Sequence, residues 1–216
     1  MKLYSYWRSS SAWRVRIALQ LKGIAYDYEA VNLAPEVSAQ KAADYTLLNP
    51  LQQVPTLEWE EKGAIVRLTQ SVAIVEYLEE LKPTAALLPR APLLRARVRE
   101  AVEIVNSGIQ PFQNTWTQAE VRRLAGEAAV LPWVSKALLR GLRALEVHAE
   151  KYAGRCLIED DVTLADLYLV PQLYQARRNA IELEQFPRLV AIEQHVSQLP
   201  AFSKARPEAQ PDAVPT

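Results

Sequence analysis

The stretch QVPTLEWEEKGAIVRLTQSVAIVEYL, residues 53–78, decides the fold. VPTLEW at 54–59 predicts a strand and AIVRL at 64–68 predicts its partner. Between them, EEKG has the length of a hairpin turn. SVAIVEYLEEL at 71–81 reads as a helix, stopped by Pro83. Upstream, KLYSYW at 2–7 is an aromatic-rich strand candidate. A helix follows from Ser10 or Ser11: Trp13, Ile17 and Leu21 recur every four residues, and Gly23 suits the C-terminal cap. AYDYEAV at 25–31 alternates as a second strand, and 34–48 is polar with weak helical character. The order is therefore β-α-β, a short helical link, then β-β-α.

Beyond this the pattern changes. KPTAALLPRAP at 82–92 holds three prolines and reads as a linker. The rest is helical in character, with helices predicted over 92–122, 131–152, 163–178 and 186–198. The Pro-rich tail RPEAQPDAVPT either wraps the surface or is disordered. The 216 residues suit one large or two small domains. Lys plus Arg balances Asp plus Glu at 25 each, which argues against a nucleic-acid partner. No apolar run reaches membrane-spanning length and no signal-peptide pattern opens the chain, so a soluble, cytoplasmic protein is expected. A single cysteine, Cys156, excludes an intrachain disulfide and a Cys-x-x-Cys pair. His148 and His195 are too far apart in sequence to suggest zinc.

Several stretches point to chemistry. In QVPT, a cis Val54–Pro55 bond would present the Val54 backbone to an extended peptide; the alternative is a trans proline on an edge strand. Gln70 and Ser71 stand where a strand gives way to a helix, a place that suits a carboxylate or simply an N-cap at Ser71. Asn106, Gln110, Gln113 and Asn114 fall on one face of the predicted 92–122 helix, either a polar cleft wall or a solvated face bent at Pro111. Thr163 and Asp166 form a capping box that opens a helix. Arg177 and Arg178 end that helix, where cations suit the dipole and one can also hold an anion.

The segments YSYWRSSSAWRVRIALQLKGIAY, LNPLQQVPTL, QSVAIVEYLEE, GIQPFQN and VTLADLYLVPQ resemble, in order, the soluble glutathione transferases, and among them the zeta class. The resemblance implies an α/β thioredoxin-like N-terminal domain over 1–81, an all-α C-terminal domain over 88–216, and a homodimer. It implies glutathione as cofactor, with Ser9, Ser10 and Ser11 at the thiol end, Val54 on the cysteinyl backbone, and Gln70 and Ser71 on the γ-glutamyl carboxylate. Gln40, Gln110 and Asn114 match further glutathione contacts, and Arg8 and Arg178 match positions that hold an acidic substrate. Many zeta members read Ser-Ser-Cys; this chain has Ser11 in the third place, so a protein thiol is absent there.

The implied activity is glutathione-dependent cis–trans isomerisation of maleylacetoacetate or maleylpyruvate in aromatic-acid catabolism. A thiol is only a few per cent ionised at neutral pH, so a serine hydroxyl and a helix N-terminus would serve to hold it as thiolate. Two other readings stand beside it: conjugation of glutathione to electrophiles such as α-haloacids, and a non-catalytic glutathione-transferase-like binder. Arg14 and Arg16, on the same helix, are assigned structural roles.

Overall fold

The structure, a computed structural model, describes residues 1–214. The N-terminal elements are β1 (Lys2–Ser5), α1 (Ser10–Leu21), β2 (Asp27–Ala30), α2 (Ala43–Leu48), β3 (Thr56–Glu61), β4 (Ala64–Thr69) and α3 (Ser71–Leu81). They form one four-stranded sheet in the order β2-β1-β3-β4. β1 runs parallel to β2, with Lys2 opposite Asp27, and antiparallel to β3, with Leu3 opposite Leu57. This is the thioredoxin-like arrangement expected of the β-α-β, β-β-α order.

The hairpin is tighter than the sequence suggests. Glu60 and Glu61 remain paired in β3, and only Lys62 and Gly63 turn, with φ of 52° and 79°. Two positive φ values in a two-residue loop match the right-handed twist of the flanking strands, so pairing continues to the turn.

The helical elements are α4 (Pro92–Asn106), α5 (Gln110–Gln113), α6 (Thr115–Ala125), α7 (Val130–Tyr152), α8 (Leu164–Arg178), α9 (Pro187–Val196) and α10 (Pro200–Ala205). The single helix expected over 92–122 is thus three pieces. Gly108 lies so close to the preceding turn that a Cβ there would stand 2.4 Å from the Ile104 carbonyl oxygen. Pro111, lacking an N–H, sits in the first turn of α5, where none is needed. Asn106, Gln110, Gln113 and Asn114 therefore do not share one helical face.

The chain divides into two units: Met1–Ala85 together with the segment from Leu199, and Ala86–Gln198. In the first, the C-terminal segment packs α10 against α1, and the Gln210 amide donates to the carbonyls of Lys204 (3.0 Å) and Arg206 (2.9 Å). The described part of the tail thus wraps its own unit, and its last two residues, Pro215 and Thr216, lie outside the described residues. In the second, α4 packs on α7 and α8, and α8 on α9.

The capping box at α8 is present. Asp166, fully buried, accepts from the Thr163 N–H (2.8 Å) and hydroxyl (3.2 Å) and from the Leu157 N–H (2.8 Å). Burial outweighs these bonds and raises its carboxyl to about 6. A folded-state pKa above the ordinary value near 3.8 means the folded protein binds this proton more tightly. Its stabilising contribution is therefore full below that ordinary value and is lost as pH rises through 6. A shift of this size corresponds to roughly 3 kcal/mol. In denaturant unfolding, the stability difference between wild type and Asp166→Asn should fall by about 2–3 kcal/mol from pH 4 to 7. A difference that is flat with pH would contradict this assignment.

Candidate active site

Helix α1 is buried all round from Ala12 to Leu19, including Arg14 and Arg16, both 0 % exposed. A buried cation is tolerated only when its donors are used. Arg16 Nε donates to the Ala205 carbonyl (3.0 Å), Nη1 to Ser5 Oγ (3.0 Å) and the Tyr6 carbonyl (3.3 Å), and Nη2 to the Trp7 carbonyl (2.9 Å). Burial lowers its guanidinium to about 10, so it stays charged at neutral pH. These bonds fix the turn between β1 and α1.

That turn carries the serine triplet. Ser9 is the N-cap of α1: its Oγ accepts from the Ala12 N–H at 3.2 Å, and its own N–H donates to the Tyr6 carbonyl at 2.9 Å. Ser10 and Ser11 open the helix and are half-buried. All three stand at the positive end of the α1 dipole. Next to them Arg8 places its guanidinium over the Trp7 ring, 4.7 Å from the centroid. Both line a cleft of about 400 Å³ with Tyr6, Asn32 and Glu36.

The Val54–Pro55 bond is cis. The preceding Gln53 carbonyl is held by two donors, Tyr45 Oη and Asn49 Nδ2, each at 2.7 Å. The Val54 N–H and C=O have no hydrogen-bond partner among the described residues. The supports Tyr45 and Asn49 were missed in the sequence, since nothing in a linear pattern aims either side chain at residue 53.

At α3, Gln70 is the cap residue, with φ of 70°, and Ser71 is the first helical residue rather than the cap. Ser71 is 5 % exposed and its Oγ accepts from Arg14 Nη1 at 3.3 Å. Arg14, read as structural, thus also touches the residue expected to meet a carboxylate. Gln40 lies on a 3₁₀ turn, Ala39–Lys41; it is 8 % exposed and its Oε1 has no partner among the described residues. A buried acceptor of this kind is costly unless a ligand N–H reaches it.

In the helical unit, Gln113 and Gln172 are buried and exchange two amide hydrogen bonds, at 3.1 and 3.0 Å. Gln113 also donates to Gln110 Oε1 at 3.3 Å. Asn114 is the N-cap of α6, accepting from the Trp116 N–H at 3.0 Å. Of the arginine pair, Arg177 is committed to Glu193 through two hydrogen bonds, one of 2.7 Å, whereas Arg178 is exposed, with Gln175 Oε1 at 3.4 Å. Cys156 is buried, and burial pushes its thiol up to about 12, so it is no nucleophile. Among the described residues no cluster suits a metal ion, and no helix is long and apolar enough to cross a membrane.

An unpaired backbone at Val54, an orphan amide oxygen at Gln40 and a serine at a helix N-terminus suit an extended anionic peptide. Known proteins resemble the chain over its length. Residues 1–80 match the glutathione S-transferase N-terminal domain. The chain is 42 % identical over 213 residues to a probable maleylacetoacetate isomerase of Drosophila melanogaster, covering 99 % of this chain and 90 % of that one. It is 42 % identical over 217 residues to a maleylpyruvate isomerase of a Ralstonia species, covering 99 % and 100 %. A maleylacetoacetate isomerase from Anaeromyxobacter dehalogenans, crystallised with glutathione bound in its active site, superposes with a TM-score of 0.91 at 48 % identity, covering 99 % and 97 %.

Proposed function

The chain belongs to the glutathione S-transferase family, in its zeta-class maleylacetoacetate isomerase branch, and we propose that it isomerises a maleyl keto acid to the fumaryl form using glutathione as cofactor. When bound, glutathione supplies a thiolate nucleophile whose reversible addition lets a cis double bond become trans. The observation that carries the reading is Ser9. Its Oγ already accepts the Ala12 N–H, which leaves the hydroxyl proton to donate to a sulfur at the α1 N-terminus.

The remaining assignments follow the same logic. Val54 pairs its free backbone with the cysteinyl residue, Gln40 meets an N–H, and Ser71 and Gln70 take the γ-glutamyl carboxylate. Gln110 and Asn114 are further glutathione contacts, and Ser10 and Ser11 complete the polar rim at the thiol. Arg8 and Arg178 hold the substrate's carboxylates. The enzyme acts in the cytoplasm as a homodimer, in aromatic-acid catabolism.

The test follows loss of maleylpyruvate and of maleylacetoacetate by absorbance in the presence of glutathione. Turnover of either acid is expected, and Arg8→Ala and Arg178→Ala should each raise KM for it about tenfold. Glutathione binding without turnover of either acid would overturn the reading and favour haloacid conjugation.

A further inference from the structure

The C-terminal segment reaches the active-site turn through one side chain that no feature of the sequence singles out. Asp212 Oδ2 accepts from the Trp7 N–H at 3.1 Å, and its Oδ1 accepts from the Tyr28 hydroxyl at 2.7 Å. Arg16 holds the other end of the same residue, through the Trp7 carbonyl at 2.9 Å. Trp7 is thus pinned at both its N–H and its C=O, two residues before Ser9. Trp7 is 3 % exposed, and its ring is the platform on which the Arg8 guanidinium lies. Ala213 packs beside Asp212 against the cluster of Tyr6, Trp7, Ala12 and Val54, and Asp212 forms part of the cleft that Arg8 lines. A carboxylate offers two acceptors, and here each meets a single donor from a different element, which fixes the turn relative to β2.

We propose that Asp212 is a positioning residue: from the tail it fixes the Trp7 peptide and ring, and so aims Arg8 at the substrate's carboxylate. The proposal rests on the assignment of Arg8 given above. A misplacement of about 1 Å is enough to weaken such a contact severely. The tail therefore contributes to function even though it touches no reacting atom.

The experiment is a double-variant cycle on Arg8→Ala and Asp212→Ala, reading KM and kcat for the acidic substrate, with thermal melting alongside. Asp212→Ala should raise KM about tenfold, and adding it to Arg8→Ala should raise KM no further, because both act through one contact. Asp212→Asn keeps an oxygen for the Trp7 N–H and an amide that can donate to Tyr28, so it should stay within about threefold of wild type. Should Asp212→Ala not fold, Asp212→Glu retains the charge but displaces the carboxylate, and should show the same non-additivity with Arg8→Ala. A KM for Asp212→Ala, or for Asp212→Glu where it stands in, within twofold of wild type, or independent multiplication of the two effects, would overturn the proposal. An unchanged KM in Arg8→Ala alone would instead remove the Arg8 assignment, so the two failures are distinguishable.

Discussion

Ser9→Ala is expected to lower kcat about a hundredfold or more, the usual cost of deleting one donor to a charge that catalysis must stabilise. The loss should appear first as a raised pKa of the bound thiol, read by ultraviolet absorbance of the thiolate against pH. The substitution also removes the N-cap of α1, where Ser9 Oγ accepts from the Ala12 N–H. That costs about 1 kcal/mol of stability, which must be separated from the chemistry. Ser9→Gly separates them: glycine is a tolerable N-cap, at a few tenths of a kcal/mol, but has no hydroxyl. Activity should stay low in Ser9→Gly while the melting temperature recovers. Ser9→Thr, which keeps both hydroxyl and cap, should retain most of the activity. Activity within threefold of wild type in both Ser9→Ala and Ser9→Gly would show that the thiolate is held elsewhere.

Arg16→Met should be the most damaging substitution for stability. The guanidinium satisfies the carbonyls of Tyr6, Trp7 and Ala205 and the Ser5 hydroxyl, all without solvent. Methionine fills similar volume and removes a desolvated charge, which is favourable. It also leaves three carbonyls with fewer partners in a dry site, at about 1–3 kcal/mol for each that ends unsatisfied. The orphaned acceptors win, and a net loss of about 3–5 kcal/mol is expected. In a chain of this size that lowers the melting temperature by roughly 10 °C. A variant melting within a few degrees of wild type would mean that water replaces the guanidinium.

The hairpin and the helix after it were legible because period-two alternation and a proline stop are local signals. The turn was read two residues too long, because the glutamates look solvated although their backbone still pairs. The break after Asn106 was half-legible. Pro111 announced a bend, but the close approach of Gly108 to the Ile104 carbonyl, just past the end of α4 at Asn106, appears only in the folded chain. Burial of Arg14 and Arg16 could not be read from charge: a helix enclosed all round normally excludes arginine, and the carbonyls and hydroxyl that receive Arg16, like the Ser71 hydroxyl that receives Arg14, come from outside the helix. For the candidate site, the serine triplet, Val54, Gln70 and Ser71 stood out as motifs because each sits at an element boundary. Tyr45, Asn49 and Asp212 were not. They act on backbone groups that only the folded chain brings near, and Asp212 meets Trp7 across 205 residues of sequence.

The most direct test of the isomerase assignment is the number of product molecules formed per glutathione. The enzyme is supplied with a large excess of maleylpyruvate or maleylacetoacetate and a limiting, known amount of glutathione. The cofactor role predicts that fumaryl product exceeds glutathione many times over while free thiol, titrated at the end, is undiminished. Product that stops at one equivalent, with thiol consumed in step, would contradict it and mark the enzyme as a conjugating transferase.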